Sequence, residues 1–300
     1  MPGPFAHFTL FQKAMETFCY GSQWPKIQEM LGNYSEYGKL GSNSPDFPIV
    51  ALDSIWEEYL HADFASALIY PALQIIPTYP EEVRPKLITW FLGYLSHMVA
   101  DAVIHPVVNL KVGPYEGHEK DHQMCEIYQD AFIYPDLGLG SVKKCNFLKH
   151  IIASCCHPDN RFLLDPIICE FWKRICATGF SGKEVPFPDF WFAAYTTVVD
   201  QVVEESDWFH VRALAWLGEK EHLLQRSPDE IDYSFIDSLV TTSGKIVRYD
   251  KIFEIAVQKT VIVWEIFSQA LEDFSRLTFP LTAQWNLNTG KIVEPNFIFW

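Results

Sequence analysis

His97, Asp101 and His105, followed by His118, His122 and Glu126, fall at four-residue spacing within GYLSHMVADAVIHPVVNLKVGPYEGHEKDHQMCEIYQD, residues 93–130. A helix turns once in 3.6 residues, so each trio lies along one side of a helix. Imidazole and carboxylate are donors that suit zinc, and two such faces could close on one metal cluster. A lone histidine or aspartate on an apolar helix is ordinarily a hydrogen-bonded core residue. Here His97 and Asp101 sit among Trp90, Phe91, Leu92, Leu95, Val99, Val103 and Ile104. An uncompensated charge is costly to bury in such surroundings, and a metal would remove that cost.

The elements that must position these groups read as helices. Apolar spacing predicts helices over 5–19, carrying His7; 24–32; 54–73, carrying His61; 82–111, carrying the first ladder; and 118–134, carrying the second. Residues 111–117 break the last two apart. Residues 32–48, GNYSEYGKLGSNSPDFP, read as a polar, glycine-bearing loop that ends near Asp46. A Pro-Asp pair such as Pro45-Asp46 is by itself a turn or a cap.

Beyond residue 140, helices are predicted over 143–156, 162–178, 188–218, 232–242 and 248–276. No strand alternation is sustained, so the fold class is all-α, a multi-helix bundle. Residues 1–140 form its metal-site region, and 141–300 complete the same domain and supply substrate-pocket material. Six of the ten histidines fall at or before position 122, as a site built between helices requires. After residue 140, His150 and His157 are seven apart, and Cys155-Cys156-His157 lacks partners at zinc-finger spacing. The cluster Glu204, Glu205, Asp207, Trp208, Phe209 and His210 reads as a solvated helix end or as the lining of a pocket for a cationic group.

The chain has 23 basic and 38 acidic residues, a formal charge of −15. That balance argues against nucleic-acid partners, which need a basic surface. Seven cysteines, an odd number with no C-x-x-C pair, favour free thiols in a reducing compartment. The start, MPGPFAHFTLFQK, lacks a secretory signal pattern, and no run of about 20 residues is free of charged and imidazole groups. A cytoplasmic protein without a transmembrane segment is expected.

With MPGPFAHF, GSNSPDF, LHAD, GYLSHMVADAVIHP and HQMCE in one chain, residues 1–135 resemble the zinc-dependent phospholipase C superfamily, whose all-helical fold is shared with the fungal single-strand nucleases. The resemblance is nearest to its cytoplasmic bacterial branch. It implies two or three zinc ions held between helices. Asp46, His61, His97 and Asp101 would bind the first, and Asp101 would bridge to a second shared with His7 and the chain terminus. Removal of Met1 would make Pro2 that terminus, standing in for the α-amine that secreted members expose on losing a leader. His122 and Glu126 would hold the remaining ion with His105 or His118. Secreted members place that third histidine six residues after the bridging aspartate, whereas His105 comes four after Asp101. His105 continues the helix face, and His118 stays as the alternative.

The chemistry so implied is hydrolysis of a phosphoric ester by a bridging hydroxide, with Asp46 as general base or water-orienting carboxylate. The substrate implied is a phospholipid, cleaved as by a phospholipase C. A phosphodiesterase or phosphatase acting on a soluble metabolite or nucleotide is the first alternative, because no basic amphipathic helix for membrane docking is evident. A single-strand nuclease would need a basic, stacking cleft, which the net charge opposes. A non-catalytic binding module with a structural metal is a further alternative, opposed by a ligand count above the four of a closed zinc site.

Overall fold

Helix α7, Arg84–Val112, is the axis of the molecule, and every residue from Leu87 to Val108 is buried. A helix that is apolar all round must be enclosed, by protein or by lipid. α7 is long and apolar enough to cross a membrane, but its most apolar window is wholly covered by the protein itself, which makes it a core helix. The computed structural model describes residues 2–21, 24–62, 64–139, 146–204, 231–293 and 296–300.

Among the described residues the other α-helices, in chain order, are α1 (Pro4–Gly21), α2 (Pro25–Asn33), α3 (Ser35–Gly41), α4 (Phe47–Val50), α5 (Ser54–His61), α6 (Ile69–Ile75), α8 (Glu119–Ile133), α9 (Phe147–Cys155), α10 (Pro166–Gly179), α11 (Pro188–Glu204) and α12 (Tyr249–Glu272). The strands among the described residues form three two-stranded antiparallel ribbons, so the fold is all-α as expected. Helices α1, α3, α8 and α12 pack around α7. Trp264 of α12 donates its indole N–H to the Leu92 carbonyl at 2.8 Å.

Backbone contact between α3 and α7 explains two glycines. A methyl group on Gly93 would collide with the Gly38 carbonyl, and one on Gly41 would collide with the Trp90 carbonyl. Gly41 and Gly93 are thus where the two helix backbones touch. Residues 32–48 are therefore not a loop. They form α3 and a 3-10 turn over Ser44–Asp46, stabilised by packing rather than by local propensity.

Two further expectations are corrected. The helix over 54–73 stops at His61, since Ala62 is extended, and resumes as a 3-10 turn over Ala65–Leu68 and then α6. Pro71 is satisfied in the first turn of α6, where its missing N–H costs nothing; an unbroken helix would have lost that bond. The helix over 232–242 is instead a 3-10 turn at Tyr233–Phe235 and a hairpin pairing Leu239–Val240 (β3) with Ile246–Val247 (β4). Asp232 accepts a bond from the Ser234 N–H, and Gly244 takes a positive φ of 77° in the turn; both are chain-reversal chemistry. The acidic-aromatic cluster at 204–210 lies outside the described residues apart from the backbone of Glu204.

Candidate metal centre

Five of the proposed ligand side chains converge against α7. α1 brings His7, the turn at Ser44–Asp46 brings Asp46, α5 ends on His61, and α7 itself supplies His97 and Asp101. They form two overlapping groups, His7 with His97 and Asp101, and Asp46 with His61 and His97, each with donor atoms within 4.8 Å of one another. Asp101 approaches His7 Nε2 at 3.6 Å and His97 Nε2 at 3.3 Å. Asp46 Oδ1 lies 3.3 Å from His61 Nε2 and 3.6 Å from His97 Nε2. The rings of His7 and His97 stack with centroids 4.0 Å apart.

Backbone carbonyls set the orientation of three histidines. His97 Nδ1 donates to the Ser42 carbonyl and His61 Nδ1 to the Glu57 carbonyl, both at 3.0 Å, and His105 Nδ1 donates to the Leu287 carbonyl at 2.6 Å. Each ring is thereby left with Nε2 as its lone-pair donor, and second partners of this kind fix the tautomer of metal-binding histidines. His122 is turned the other way. Its Nε2 donates to the Gly113 carbonyl at 2.7 Å, which leaves Nδ1 facing Glu126 Oε1 at 3.8 Å.

Electrostatics inside the cluster follow from burial and proximity. Burial opposes charge on His97, but Asp101 and Asp46 outweigh it and raise its pKa to about 9. Burial and the neighbouring His97 charge lower His7 to about 3. Burial also lowers His105, to about 4. Both carboxyls stay below the ordinary carboxylate range against the cost of burial, Asp101 through His97 and His105 and Asp46 through His97 and His61.

Both ring nitrogens of His7, Oδ1 of Asp46, both carboxylate oxygens of Asp101 and Nε2 of His105 are buried without a hydrogen-bond partner. Buried polar atoms are normally satisfied, so five orphans on three residues of the cluster, with a sixth on His105 one turn along α7, call for a ligand. Imidazole nitrogens and carboxylate oxygens are the donors that zinc takes, and the residues fit it. A family model described as zinc dependent phospholipase C matches residues 6–182. The chain belongs to that family. No curated protein matches the chain, and no solved structure does.

For a zinc-dependent phospholipase C family chain, the remaining expected ligands fall into distinct places. His105 is buried four residues beyond Asp101, and the Asp101 and Glu126 carboxylates both act on it. His122 and Glu126 are buried neighbours on α8. His105, His122 and Glu126 do not form a group of the tightness seen around His97 among the described residues. His118 occupies the N-cap position of α8 without a side-chain capping bond, its side chain 45% exposed and 3.8 Å from Asp121. Pro2 is buried just ahead of α1. Asp63 of the LHAD motif lies outside the described residues.

A further buried carboxylate, which the sequence reading does not single out, supports the helix that carries His7. Asp130 continues the α8 ladder four residues after Glu126, and its carboxylate accepts from the Phe5 and Ala6 N–H groups at the start of α1, the turn that carries His7. A methyl group on Gly3 would collide with the Asp130 carboxyl, so that helix start and the carboxylate are fitted to each other. The four-residue spacing was the available signal.

Proposed function

We propose that this protein is a zinc-dependent phosphoric-ester hydrolase of the phospholipase C type, acting on a phospholipid. The observation that carries this reading is the set of six unpartnered buried donor atoms on His7, Asp46, Asp101 and His105, in a chain of the zinc-dependent phospholipase C family.

His61, His97, Asp46 and Asp101 would hold one ion, with Asp101 reaching a second beside His7, and Pro2 would join His7 if its amine is freed. His105, with His122 and Glu126, would hold the third, and its burial and bare Nε2 favour it over the exposed His118. Bound zinc would supply Lewis acidity, drawing charge from the phosphoryl oxygens and lowering the pKa of a water toward neutrality.

The chain's own groups divide the remaining work. Asp46 is the member of the cluster with part of its side chain exposed, 19%, and so is the carboxylate a water or substrate can reach. Its pKa is held low by His97 and His61 against burial, so it remains ionised and suits orienting a water and accepting its proton briefly better than storing that proton. His61 and His97, clamped through Nδ1, present Nε2 to the site.

Zinc counted by elemental analysis, together with turnover of a water-soluble chromogenic phosphodiester and of phosphatidylcholine in micelles, tests this. Two or three ions per chain and chelator-sensitive release of a phosphorylated head group are expected. Turnover of the soluble ester alone would move the assignment to a soluble phosphodiesterase, and one ion with no ester hydrolysis would replace the enzyme reading with a structural metal.

A further inference from the structure

The family match ends at residue 182, yet the carbonyl that orients His105 belongs to Leu287. Leu287 spends both backbone groups on the metal centre. Its N–H donates to the His61 carbonyl at 2.8 Å, and its carbonyl accepts from His105 Nδ1 at 2.6 Å. One residue therefore ties the last turn of α5 to α7.

The turn that presents Leu287 is held closed by its own bonds. The Asn286 N–H donates to the Lys291 carbonyl at 3.0 Å, the Gly290 N–H to the Asn286 carbonyl at 2.8 Å, and the Thr289 N–H to Asn286 Oδ1 at 3.0 Å. It is also pinned on both flanks. The Ala65 N–H donates to the Trp285 carbonyl at 3.2 Å, Asn109 Nδ2 to the Asn288 carbonyl at 3.0 Å, and Trp300 Nε1 to the Val103 carbonyl at 3.0 Å.

Its seat on α7 is made by the proline that follows His105. Pro106 has no N–H to give the Ala102 carbonyl four residues back, an ordinary helix defect. Gly290 packs on that carbonyl and on the Pro106 ring, where any methyl group would collide, and its φ of +66° suits glycine. The defect in the helix is thus where the C-terminal segment docks, one residue from the histidine that it orients.

We propose that Leu287 is a positioning residue of the metal centre, and that the segment from Trp285 to Lys291 is a strap that holds His105 in its Nδ1–H tautomer with Nε2 presented as a donor. This rests on the zinc-site reading above. A neutral imidazole offers a lone pair from one nitrogen only, so the carbonyl that takes the Nδ1 proton decides which nitrogen can bind. Outer partners of this type change metal affinity by about 10–100-fold.

Two variants separate positioning from mere packing. Gly290→Ala drives the strap off the Ala102 carbonyl, whereas Leu281→Ala, a buried residue ahead of the strap, loosens the core without touching those bonds. Zinc affinity is read by competition with a chromogenic chelator on proteins whose circular dichroism matches wild type. Gly290→Ala is expected to weaken one zinc ion by about 10–100-fold, and Leu281→Ala to lower the melting temperature with zinc binding retained. Equal loss in both variants, or in neither, overturns the proposal. Should Gly290→Ala not fold, nitrogen-15 shifts of the His105 ring in metal-free wild type decide: a protonated Nδ1 with bare Nε2 supports the strap, and the opposite tautomer overturns it. Wild type that binds no zinc at all refutes the metal centre instead, and the tautomer still reports on the strap.

Discussion

The Nε2 atoms of His61 and His97 stand 3.4 Å apart, each ring anchored through Nδ1 on a backbone carbonyl, and both face Oδ1 of Asp46. Two imidazole nitrogens so close need a positive particle between them. In the metal-free protein a proton serves, and the raised pKa of His97, about 9, places it on that ring. A metal ion would take the same place, so metal uptake at this centre displaces a proton.

Asp101 gives the sharpest test of a shared ligand. It is fully buried, neither carboxylate oxygen has a hydrogen-bond partner, and it approaches both His7 and His97. Asp101→Asn keeps the volume and removes the charge. The variant should lose at least one more zinc equivalent than Asp46→Asn, with kcat/KM on a soluble phosphodiester down by about 100-fold or more. Wild-type zinc content in Asp101→Asn would sink the bridging role.

Gly93 tests whether the contact between α3 and α7 builds the site. Its methylated form must push the Gly38 carbonyl away and with it Ser42, whose carbonyl holds His97. Overpacking of this kind costs about 1–3 kcal/mol. Gly93→Ala should therefore melt several degrees lower and bind zinc more weakly than wild type. Wild-type values in both a thermal melt and a zinc titration would show that α3 does not hold His97 in place.

These two residues also mark what could be read from the sequence. Asp101 and its neighbours were legible because ligands on one helix obey its period, and His97, Asp101 and His105 do lie on α7 as expected. The helical class was legible for the same reason. The α3 segment was not, because its glycines depress helix propensity and make sense only against the backbone of α7. The break after His61 depends on bonds to Trp285 and Leu287, more than 200 residues away, and the four carbonyls that orient histidines have no side-chain signature at all. Asp130 was within reach, on the same four-residue ladder as Glu126.

The choice between His105 and His118 can be made by deletion. His105 is buried with a bare Nε2, whereas His118 sits on the surface beside Asp121. His105→Ala should lower the zinc count by about one ion, and His118→Ala should leave both zinc and turnover within about twofold, as surface changes usually do. A zinc deficit in His118→Ala alone would reverse the assignment.

Asp130 predicts a pH dependence that is separate from the metal ligands. Burial raises its pKa from 3.8 to about 7, although the Ala6 and Phe5 N–H groups pull the other way. A carboxyl with a raised native pKa binds its proton more tightly in the folded state. Its stabilising contribution is therefore complete below pH 3.8 and is lost as pH climbs through about 7. Linkage over that interval amounts to at most about 4 kcal/mol. Asp130→Asn, which mimics the protonated acid and retains an oxygen for the Ala6 N–H, removes the slope. Urea midpoints of the metal-free proteins should show wild type close to the variant at pH 4 and the less stable of the two at pH 8. Parallel curves for the two proteins would mean that Asp130 is ionised throughout, held by the start of α1 as an ordinary helix-capping carboxylate.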